Sequence, residues 1–138
     1  MVGVIAIELA RRLRDTGLVW RPAMGDRFAI PDRDMDDDVF VLSNMTIEIH
    51  TRPEGRFIGF NGTTEWALDD LAQDEAVWLP REDQLRSLLG GAFRRLERTT
   101  DGYRVETVVA GDGAEFLADN AEQAYGYALL SLIESALE

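Results

Sequence analysis

Five aspartates stand within a seven-residue stretch of this sequence, and carboxylates are among the ligands that Ca²⁺ and Mg²⁺ prefer in proteins. Asp32, Asp34 and Asp36 have the spacing of the first three ligands of an EF-hand calcium loop. The match then fails, because Asp37 stands where that loop needs glycine and Ser43 where it needs a bidentate glutamate. The sequence therefore excludes an EF-hand.

A less regular Ca²⁺ or Mg²⁺ site in the same stretch stays open. Carboxylates this dense repel one another, and a divalent cation would relieve that repulsion. The other interpretation is a solvated loop in which Arg33 is the local counter-ion. The candidate metal ligands are Asp32, Asp34, Asp36 and Asp38, with Asp37 between the last two.

Large aromatic side chains form a second candidate site. Trp20, Trp66 and Trp78 each lie at the edge of a predicted helix or strand, and Phe60 shortly precedes the second of them. Such side chains supply a large contact area at fixed geometry, so they could line a pocket for a flat or apolar ligand. The alternative, which we favour, is that they pack between a sheet and helices.

The single histidine and a cluster of arginines are further candidates for a site. On its predicted strand, His50 lies on one face and Ile47 and Ile49 lie on the other. We therefore expect His50 to face solvent rather than to act as a general base. Arg94, Arg95 and Arg98 could bind a phosphate or a carboxylate. Their expected position at the C-terminus of a helix already explains them through the helix dipole.

The composition excludes several chemistries. The chain has no cysteine, which removes thiol nucleophiles, disulfides and cysteine-ligated metal sites. All 14 basic residues are arginine, so the lysine of a phosphate-binding loop and Schiff-base chemistry are also absent. The formal net charge of −12 disfavours nucleic acid and anionic membrane surfaces as partners and favours a basic protein.

The N-terminus has no basic region ahead of its short apolar run, as a signal peptide would have. No apolar run approaches the length that crosses a membrane. These features predict a cytoplasmic protein. The arginine-only basic residues, together with much alanine, glycine and leucine, are typical of a GC-rich bacterial genome.

The first half of the chain changes from a helical to a strand-like pattern. Residues 4–16 have apolar side chains every four positions, which predicts an amphipathic helix that ends at Gly17. An alternating pattern follows, with short turns at Ser43-Asn44 and Pro53-Glu54-Gly55 and the acidic stretch as a longer hairpin loop. The predicted strands span residues 26–30, 39–42, 45–50 and 56–60.

The second half is expected to be mostly helical. A helix capped by Thr63 or Thr64 is predicted to run through the segment 61–73, followed by a short strand or extended link over 76–79. Pro80 is predicted to open a longer helix, with a kink or break at the two glycines of residues 90–91. Its apolar stripe consists of Leu85, Leu88, Leu89, Phe93 and Leu96.

A hairpin and a final helix complete the predicted order. Two strand-like segments flank Gly111-Asp112-Gly113, and Asp119 is expected to cap the helix that follows. We therefore predict a single α+β domain over residues 1–138, in which an antiparallel sheet of about five to six strands packs against three to four helices.

The last helix is apolar on more than one face, which requires burial on more than one side. A central position within the protein's own sheet would satisfy this, and so would a homodimer interface, to which we give a slight preference. Tyr125 and Leu129 are its candidate partner-binding or ligand-binding residues.

The segments GDRFAIPDRDMDDDVFVLSNMTIEIH, FNGTTEWALDDL and WLPREDQLRSLLGGAFRRLER resemble a group of short bacterial proteins of unknown function. The resemblance covers about residues 5 to 130, and some members carry the label "pilus assembly protein CpaE". The pilus protein of that name is similar to partitioning ATPases, which need a phosphate-binding loop with lysine. The resemblance implies a compact stand-alone domain. It carries over no catalytic residue, because this sequence has no lysine.

The resulting hypothesis is a small acidic cytoplasmic protein without enzymatic activity, which acts as a protein-binding, regulatory or accessory module. Its partner would be a basic protein, and it would form a homodimer through the last helix. The alternative is a metal-assisted hydrolase or a small-ligand-binding protein that uses the aspartate-rich loop and a tryptophan-lined pocket.

Overall fold

The computed structural model describes residues 4–30, 35–41, 48–52, 55–59, 70–72 and 76–136. Helices and antiparallel strand pairs occur together, so the predicted α+β class is confirmed. The described residues form three helices and nine strands. The strands make three sheets of three, with the orders β2-β1-β6, β3-β4-β5 and β7-β8-β9, rather than one sheet of five or six.

The chain divides into two compact units. The central unit spans Trp20–Trp78, and the terminal unit combines Met1–Val19 with Leu79–Glu138. A division into compact units does not decide how many domains fold independently. The single domain over residues 1–138 therefore stays a prediction.

The described residues of the central unit include six short strands, the last of which extends one residue beyond the unit. Their bounds are β1 Arg27–Ile30, β2 Met35–Val41, β3 Glu48–Arg52, β4 Gly55–Gly59, β5 Asp70–Ala72 and β6 Val77–Leu79. The β3–β4 hairpin closes with Arg52 opposite Gly55, as its Pro-Glu-Gly sequence predicts. A hydrophobic cluster around Trp20, Phe28 and Ile30 forms its described core.

Two predictions for the central unit are wrong. Residues 70–72 belong to strand β5, which pairs with β4, and not to a helix; residues 61–69 and the caps Thr63 and Thr64 lie outside the described residues. Strand β2 begins at Met35, so Asp36–Asp38 lie in a strand rather than in a loop. Pairing of β2 with β1 supplies ladder hydrogen bonds, and this tertiary context overrides the low strand propensity of aspartate.

The terminal unit begins with helix α1, Ile7–Thr16. Leu9, Ala10 and Leu13 are its buried residues, as the apolar spacing of this segment predicts. Gly17 ends the helix with a φ of 129°, and its N–H donates to the carbonyl of Arg14. The helix starts three residues later than predicted.

Helix α2 spans Glu82–Leu89, a 3₁₀ turn follows at Gly90–Ala92, and strand β7 spans Phe93–Thr99. The predicted helix through residue 98 is therefore wrong beyond Leu89. A β-bulge lies between Phe93 and Arg95, which pair with Thr107 and Glu106 respectively. The extra residue places Phe93 and Leu96 on the same sheet face, so a strand acquires the three-residue spacing of a helix.

Strands β8, Gly102–Val109, and β9, Asp112–Ala118, form the second hairpin of a β7-β8-β9 meander. The turn consists of Ala110 and Gly111, with φ values of 52° and 84°. Two successive positive φ values are the signature of a two-residue type I′ turn. Asp112 and Gly113, predicted as turn residues, already belong to β9.

Helix α3, Ala121–Ala136, packs against α1, α2, β8 and β9. The Oδ1 atom of Asn120 accepts a hydrogen bond of 2.8 Å from the N–H of Gln123, so Asn120 and not Asp119 caps the helix. Neighbouring elements of the same unit thus cover several faces of α3. The all-round apolar character that suggested a homodimer is explained within one chain.

Candidate functional site

A groove of about 300 Å³ lies between the C-terminal half of α3 and the β8–β9 hairpin. This volume is at the lower end of the range in which proteins bind small ligands or single side chains. We call it the hairpin groove. Its lining residues are Ala92, Thr107, Val109, Ala110, Asp112, Gly113, Ala114, Phe116, Ala128, Ser131, Leu132 and Ser135.

Helix α3 forms one wall of the hairpin groove with four residues at i, i+3, i+4 and i+7 spacing. These residues are Ala128, Ser131, Leu132 and Ser135, three of which are small. Their short side chains leave space beside the sheet where larger side chains would fill it. The helical period therefore creates the groove.

The opposite wall comes from the hairpin. Thr107 of β8 and Ala114 of β9 are cross-strand partners, as are Val105 and Phe116, so these side chains share the sheet face that packs against α3. Thr107 is buried although it is polar. The groove walls are thus mainly apolar, with hydroxyl groups on both sides.

The charged residues on the two elements β9 and α3 are all acidic. The last basic residue of the chain is Arg104, and the segment that follows has seven acidic residues and no basic one. Among the described residues that line the groove, Asp112 is the only charged one. Asp112 and Glu115 are exposed acidic residues of β9, Glu134 is one of α3, and Asp119 is one in the link between the two elements.

Beside the groove, β9 is an edge strand, since the sheet order is β7-β8-β9. In a two-residue hairpin the closing pair, Val109 and Asp112, is hydrogen-bonded, and hydrogen-bonded pairs then alternate along the strands. It follows that Gly113, Glu115 and Leu117 direct their N–H and C=O groups away from β8. Leu117 is also 60% exposed, which is unusual for leucine at a strand edge.

The outer face of the same sheet has a network of ion pairs. Arg104 bonds Glu97 at 2.7 Å, Arg95 lies 3.3 Å from Glu97, and Arg95 also pairs with Glu106. The hydrogen bond from Arg104 lowers the pKa of Glu97 below its ordinary value, and the same contact raises the pKa of Arg104. These pairs neutralise the charges of one another on an exposed face.

Arg94 and Arg95 line one hollow, but Glu106 and Glu115 line it too, so among the described residues the two arginines do not form a purely basic anion site. Arg95 is engaged with Glu97 and Glu106. The Nη1 atom of Arg94 donates to the carbonyl oxygens of Gly91, at 2.7 Å, and Phe93, at 3.2 Å. Arg94, Arg95 and Arg98 lie on strand β7, so the predicted position at a helix C-terminus is wrong.

Two of the predicted aromatic site residues meet in the central unit. Trp20 is 6% exposed and packs with Phe28, whose ring also stacks on Phe40, and Trp78 is packed against this cluster. Among the described residues the indole N–H of Trp78 is buried without a hydrogen-bond partner. Trp20 is therefore a core residue and not an open pocket wall. Phe60 and Trp66 lie outside the described residues.

The indole of Trp20 is held by a buried carboxylate. Its Nε1 donates to Oδ2 of Asp26 at 3.0 Å, and the N–H of Ala23 donates to the same oxygen, also at 3.0 Å. Asp26 is 3% exposed. The hydrogen bonds compensate the cost of burying a polar side chain.

Tyr125 and Leu129, predicted as partner-binding residues, are only 1% and 3% exposed. The ring of Tyr125 lies 5.6 Å from that of Phe93, and burial raises the pKa of its hydroxyl group. Both side chains are core residues of the terminal unit, because α3 is covered by its neighbours. They are not accessible to a partner in this structure.

The acidic stretch is only partly described. Asp32 and Asp34 lie outside the described residues, whereas Asp36 and Asp38 lie on β2. Within the described ranges, no group of three or more histidine, aspartate or glutamate side chains is placed to hold a metal ion. The Ca²⁺ or Mg²⁺ site therefore stays a prediction.

Sequence reasoning missed the hairpin groove and the β9 edge. One signal was available, namely that no basic residue follows Arg104. The groove itself has no sequence signature, since alanine and serine on a helix are common in packed cores.

Comparisons with protein-family models, with curated proteins and with solved structures found no match. In the parts of the chain that the structure describes, no helix is both long and apolar enough to cross a membrane.

Proposed function

We propose that this protein is a noncatalytic binding module that docks a basic protein partner on the surface formed by β9 and α3. One observation carries the proposal: an apolar groove of about 300 Å³ lies against β9 and α3, and the exposed charged residues of these two elements are all acidic. An apolar side chain of the partner would fill the groove, while its basic residues would meet Asp112 and Glu115.

The physical contributions of the two parts differ. Burial of an apolar side chain supplies affinity, at about 25 cal/mol for each Å² of apolar surface removed from water. The acidic surface supplies orientation and a faster encounter, because complementary charge steers association. The net charge of −12 acts in the same direction at longer range and opposes nucleic acid as the partner.

The chemistry of the groove supports binding rather than nucleophilic catalysis. Its hydroxyl groups belong to Thr107, Ser131 and Ser135, and its carboxylate to Asp112. A serine or threonine nucleophile needs an adjacent base such as an imidazole or an amine. The residues that line the groove include neither.

The proposal can be tested by selecting random heptapeptides on the immobilised full chain. We expect the enriched peptides to contain arginine or lysine around a large apolar residue. They should bind the triple variant Asp112→Asn, Glu115→Gln, Asp119→Asn at least about fivefold more weakly, since each exposed charge contributes up to about 1 kcal/mol.

A matched control has the same change in net charge at exposed acidic positions of other elements. It combines Glu8→Gln, Asp15→Asn and Asp101→Asn. Peptides without a basic preference, or equal weakening in the two triple variants, would contradict the proposal, because affinity would then not depend on the β9 and α3 surface.

A cytoplasmic location completes the proposed description, whereas the homodimer stays a prediction. The homodimer has lost its main argument, since the apolar faces of α3 are covered within one chain. Sedimentation equilibrium of the purified protein would decide its oligomeric state.

A further inference from the structure

We infer that the partner binds as an extended basic segment that adds a fourth strand to the β7-β8-β9 sheet at β9. This inference rests on the proposed function and specifies how the partner binds. It combines three features of the terminal unit: an open strand edge, a groove along that edge, and the sign of the surrounding charge.

The strand edge has hydrogen-bonding groups available for pairing. Gly113 and Glu115 direct their N–H and C=O groups away from β8, and no further strand pairs with β9 among the described residues. An extended peptide placed alongside would satisfy these groups with its own backbone. Addition of a strand to an exposed edge is a recurrent mode of peptide recognition.

The hairpin groove accounts for one face of the added strand. Side chains of a strand alternate between two faces, and the groove lies on the face of β9 that points to α3. Every second side chain of the peptide would therefore enter the space between β9 and Ser131 and Leu132 of α3. These side chains should be apolar, to match Phe116 and Ala114.

On the other face of the added strand, the charged residue that β9 itself presents is acidic. Glu115 lies on the outer face of the sheet, opposite Glu106 in the β8–β9 register, and no basic residue lies on β9. Opposite charges on neighbouring strands attract, whereas like charges repel. The outward side chains of the peptide should thus be arginine or lysine.

A second copy of this chain fits the edge less well. Pairing of two β9 strands would bring Asp112 and Glu115 of one copy to the same acidic residues of the other, and β9 itself has no basic residue to compensate them. The charge pattern that attracts a basic segment therefore opposes self-association at this edge.

The available edge is limited to the hairpin end of β9. Val4 and Ala6 line a hollow together with Leu117 and Ala118, and the N–H of Ala6 donates to Oε1 of Gln123 at 2.9 Å. The N-terminal segment therefore lies beside the far end of β9. A peptide would pair mainly between Asp112 and Phe116, which accommodates about four or five residues.

The test uses the blocked heptapeptide Arg-Val-Arg-Phe-Arg-Val-Arg, whose basic and apolar side chains alternate. The full chain is titrated with it, and amide hydrogen exchange is followed by NMR. We expect the amides of Gly113 and Glu115 to exchange at least about tenfold more slowly at saturation, because they become hydrogen-bonded. The amide of Asp101, at the other end of the sheet, is the internal control.

Two control peptides separate strand pairing from charge. The first, Arg-Arg-Val-Val-Phe-Arg-Arg, has the same composition without alternation. The second is the original heptapeptide methylated on the backbone nitrogens of alternate residues, which removes hydrogen-bond donors and leaves every charge in place. Both should bind at least about fivefold more weakly if the backbone pairs with β9.

Protein variants locate the peptide. Ser131→Phe fills the groove and should weaken binding at least about tenfold, whereas Ser131→Ala should leave it unchanged. Glu115→Gln removes one charge and should weaken binding about two- to fivefold. Glu115→Pro also removes the outward N–H and should weaken it further than Glu115→Gln does.

The outcomes distinguish this inference from the proposed function. If the methylated peptide binds as well as the original and no β9 amide is protected, strand addition is wrong. The proposed function stands in that case, provided that Glu115→Gln still weakens binding. If neither the heptapeptide nor any selected basic peptide binds in a way that depends on the acidic residues, both are wrong.

Discussion

Gly126 of α3 and Leu9 of α1 approach each other so closely that a β-carbon added to the glycine would lie 2.6 Å from Cδ2 of Leu9. The same atom would lie 2.8 Å from Cδ1 of Ile5. A glycine within a helix costs about 1 kcal/mol relative to alanine. This glycine permits the two helices to pack at short distance, which is how α1 covers one face of α3.

Substitution of Gly126 by valine should destabilise the protein by about 2 kcal/mol, because overpacking of the α1–α3 contact outweighs the small gain in helix propensity. Urea unfolding measures the free energy difference. Gly91→Ala is the matched control, since a β-carbon at Gly91 meets no atom within 4 Å. Equal effects of the two substitutions would show that the contact with Leu9 is not tight.

Replacement of Ala110 by asparagine should stabilise the protein by about 1 kcal/mol. Ala110 has a φ of 52°, a conformation that asparagine adopts more readily than alanine does, and Asn-Gly is the preferred sequence of a type I′ turn. Thermal unfolding followed by circular dichroism measures the effect. Ala110→Val should instead destabilise, because a β-branched residue is disfavoured at positive φ; a gain in stability with valine would contradict the observed turn.

Removal of the carboxylate of Asp26 should destabilise the protein by about 2 kcal/mol. In Asp26→Ala the indole N–H of Trp20 and the N–H of Ala23 lose their common acceptor in a buried place. Asp26→Asn keeps one carbonyl oxygen and should cost less. Urea unfolding of both variants, followed by tryptophan fluorescence, tests this order, and an alanine variant as stable as the asparagine variant would contradict it.

The carboxyl group of Glu97 should titrate below its ordinary pKa of 4.5, chiefly because Arg104 donates a hydrogen bond to it. Arg104→Gln should raise this pKa towards the ordinary value, and Arg95→Gln should raise it less, since Arg95, at 3.3 Å, acts on Glu97 through its charge alone. Carbon-13 NMR of the side-chain carboxyl group measures both. A larger effect of Arg95→Gln would reverse the assignment of the dominant partner.

The lowered pKa of Glu97 makes the free energy of unfolding depend on pH. A carboxyl group whose pKa is lower in the folded state stabilises the fold above its unfolded pKa. That contribution is lost as the pH falls through the folded pKa. Because Glu97 is on an exposed face, the contribution is small, and Glu97→Gln should reduce the loss of stability below pH 4.5 only slightly.

Local sequence signals predicted the elements whose ends depend on neighbouring residues. Gly17 ends α1 because only glycine adopts its backbone conformation without strain. The turn residues at 53–55 and 111–113 predicted the two hairpins, although the second turn lies at Ala110 and Gly111. The apolar spacing of α1 and of residues 121–136 likewise predicted two helices. The class α+β follows from the order of these segments, which the sequence contains directly.

Tertiary structure decided the elements in which a long-range partner overrides the local preference. The sequence of β7 predicts a helix, because the bulge after Phe93 gives its apolar residues a spacing of three. A bulge forms only where a neighbouring strand sets the register, so the sequence of β7 alone does not reveal it. Strands β2 and β5 likewise depend on β1 and β4. Burial of Tyr125 and Leu129 depends on α1, α2 and the sheet arriving on different sides of α3.

The candidate site divides in the same way. The absence of lysine and cysteine and the purely acidic segment after Arg104 are determined by the sequence, and so is the chemistry that they exclude or favour. The hairpin groove results from the position of α3 against the sheet, and the open edge of β9 results from the strand order β7-β8-β9. A groove is space left between elements, so it depends on packing geometry that no single segment encodes.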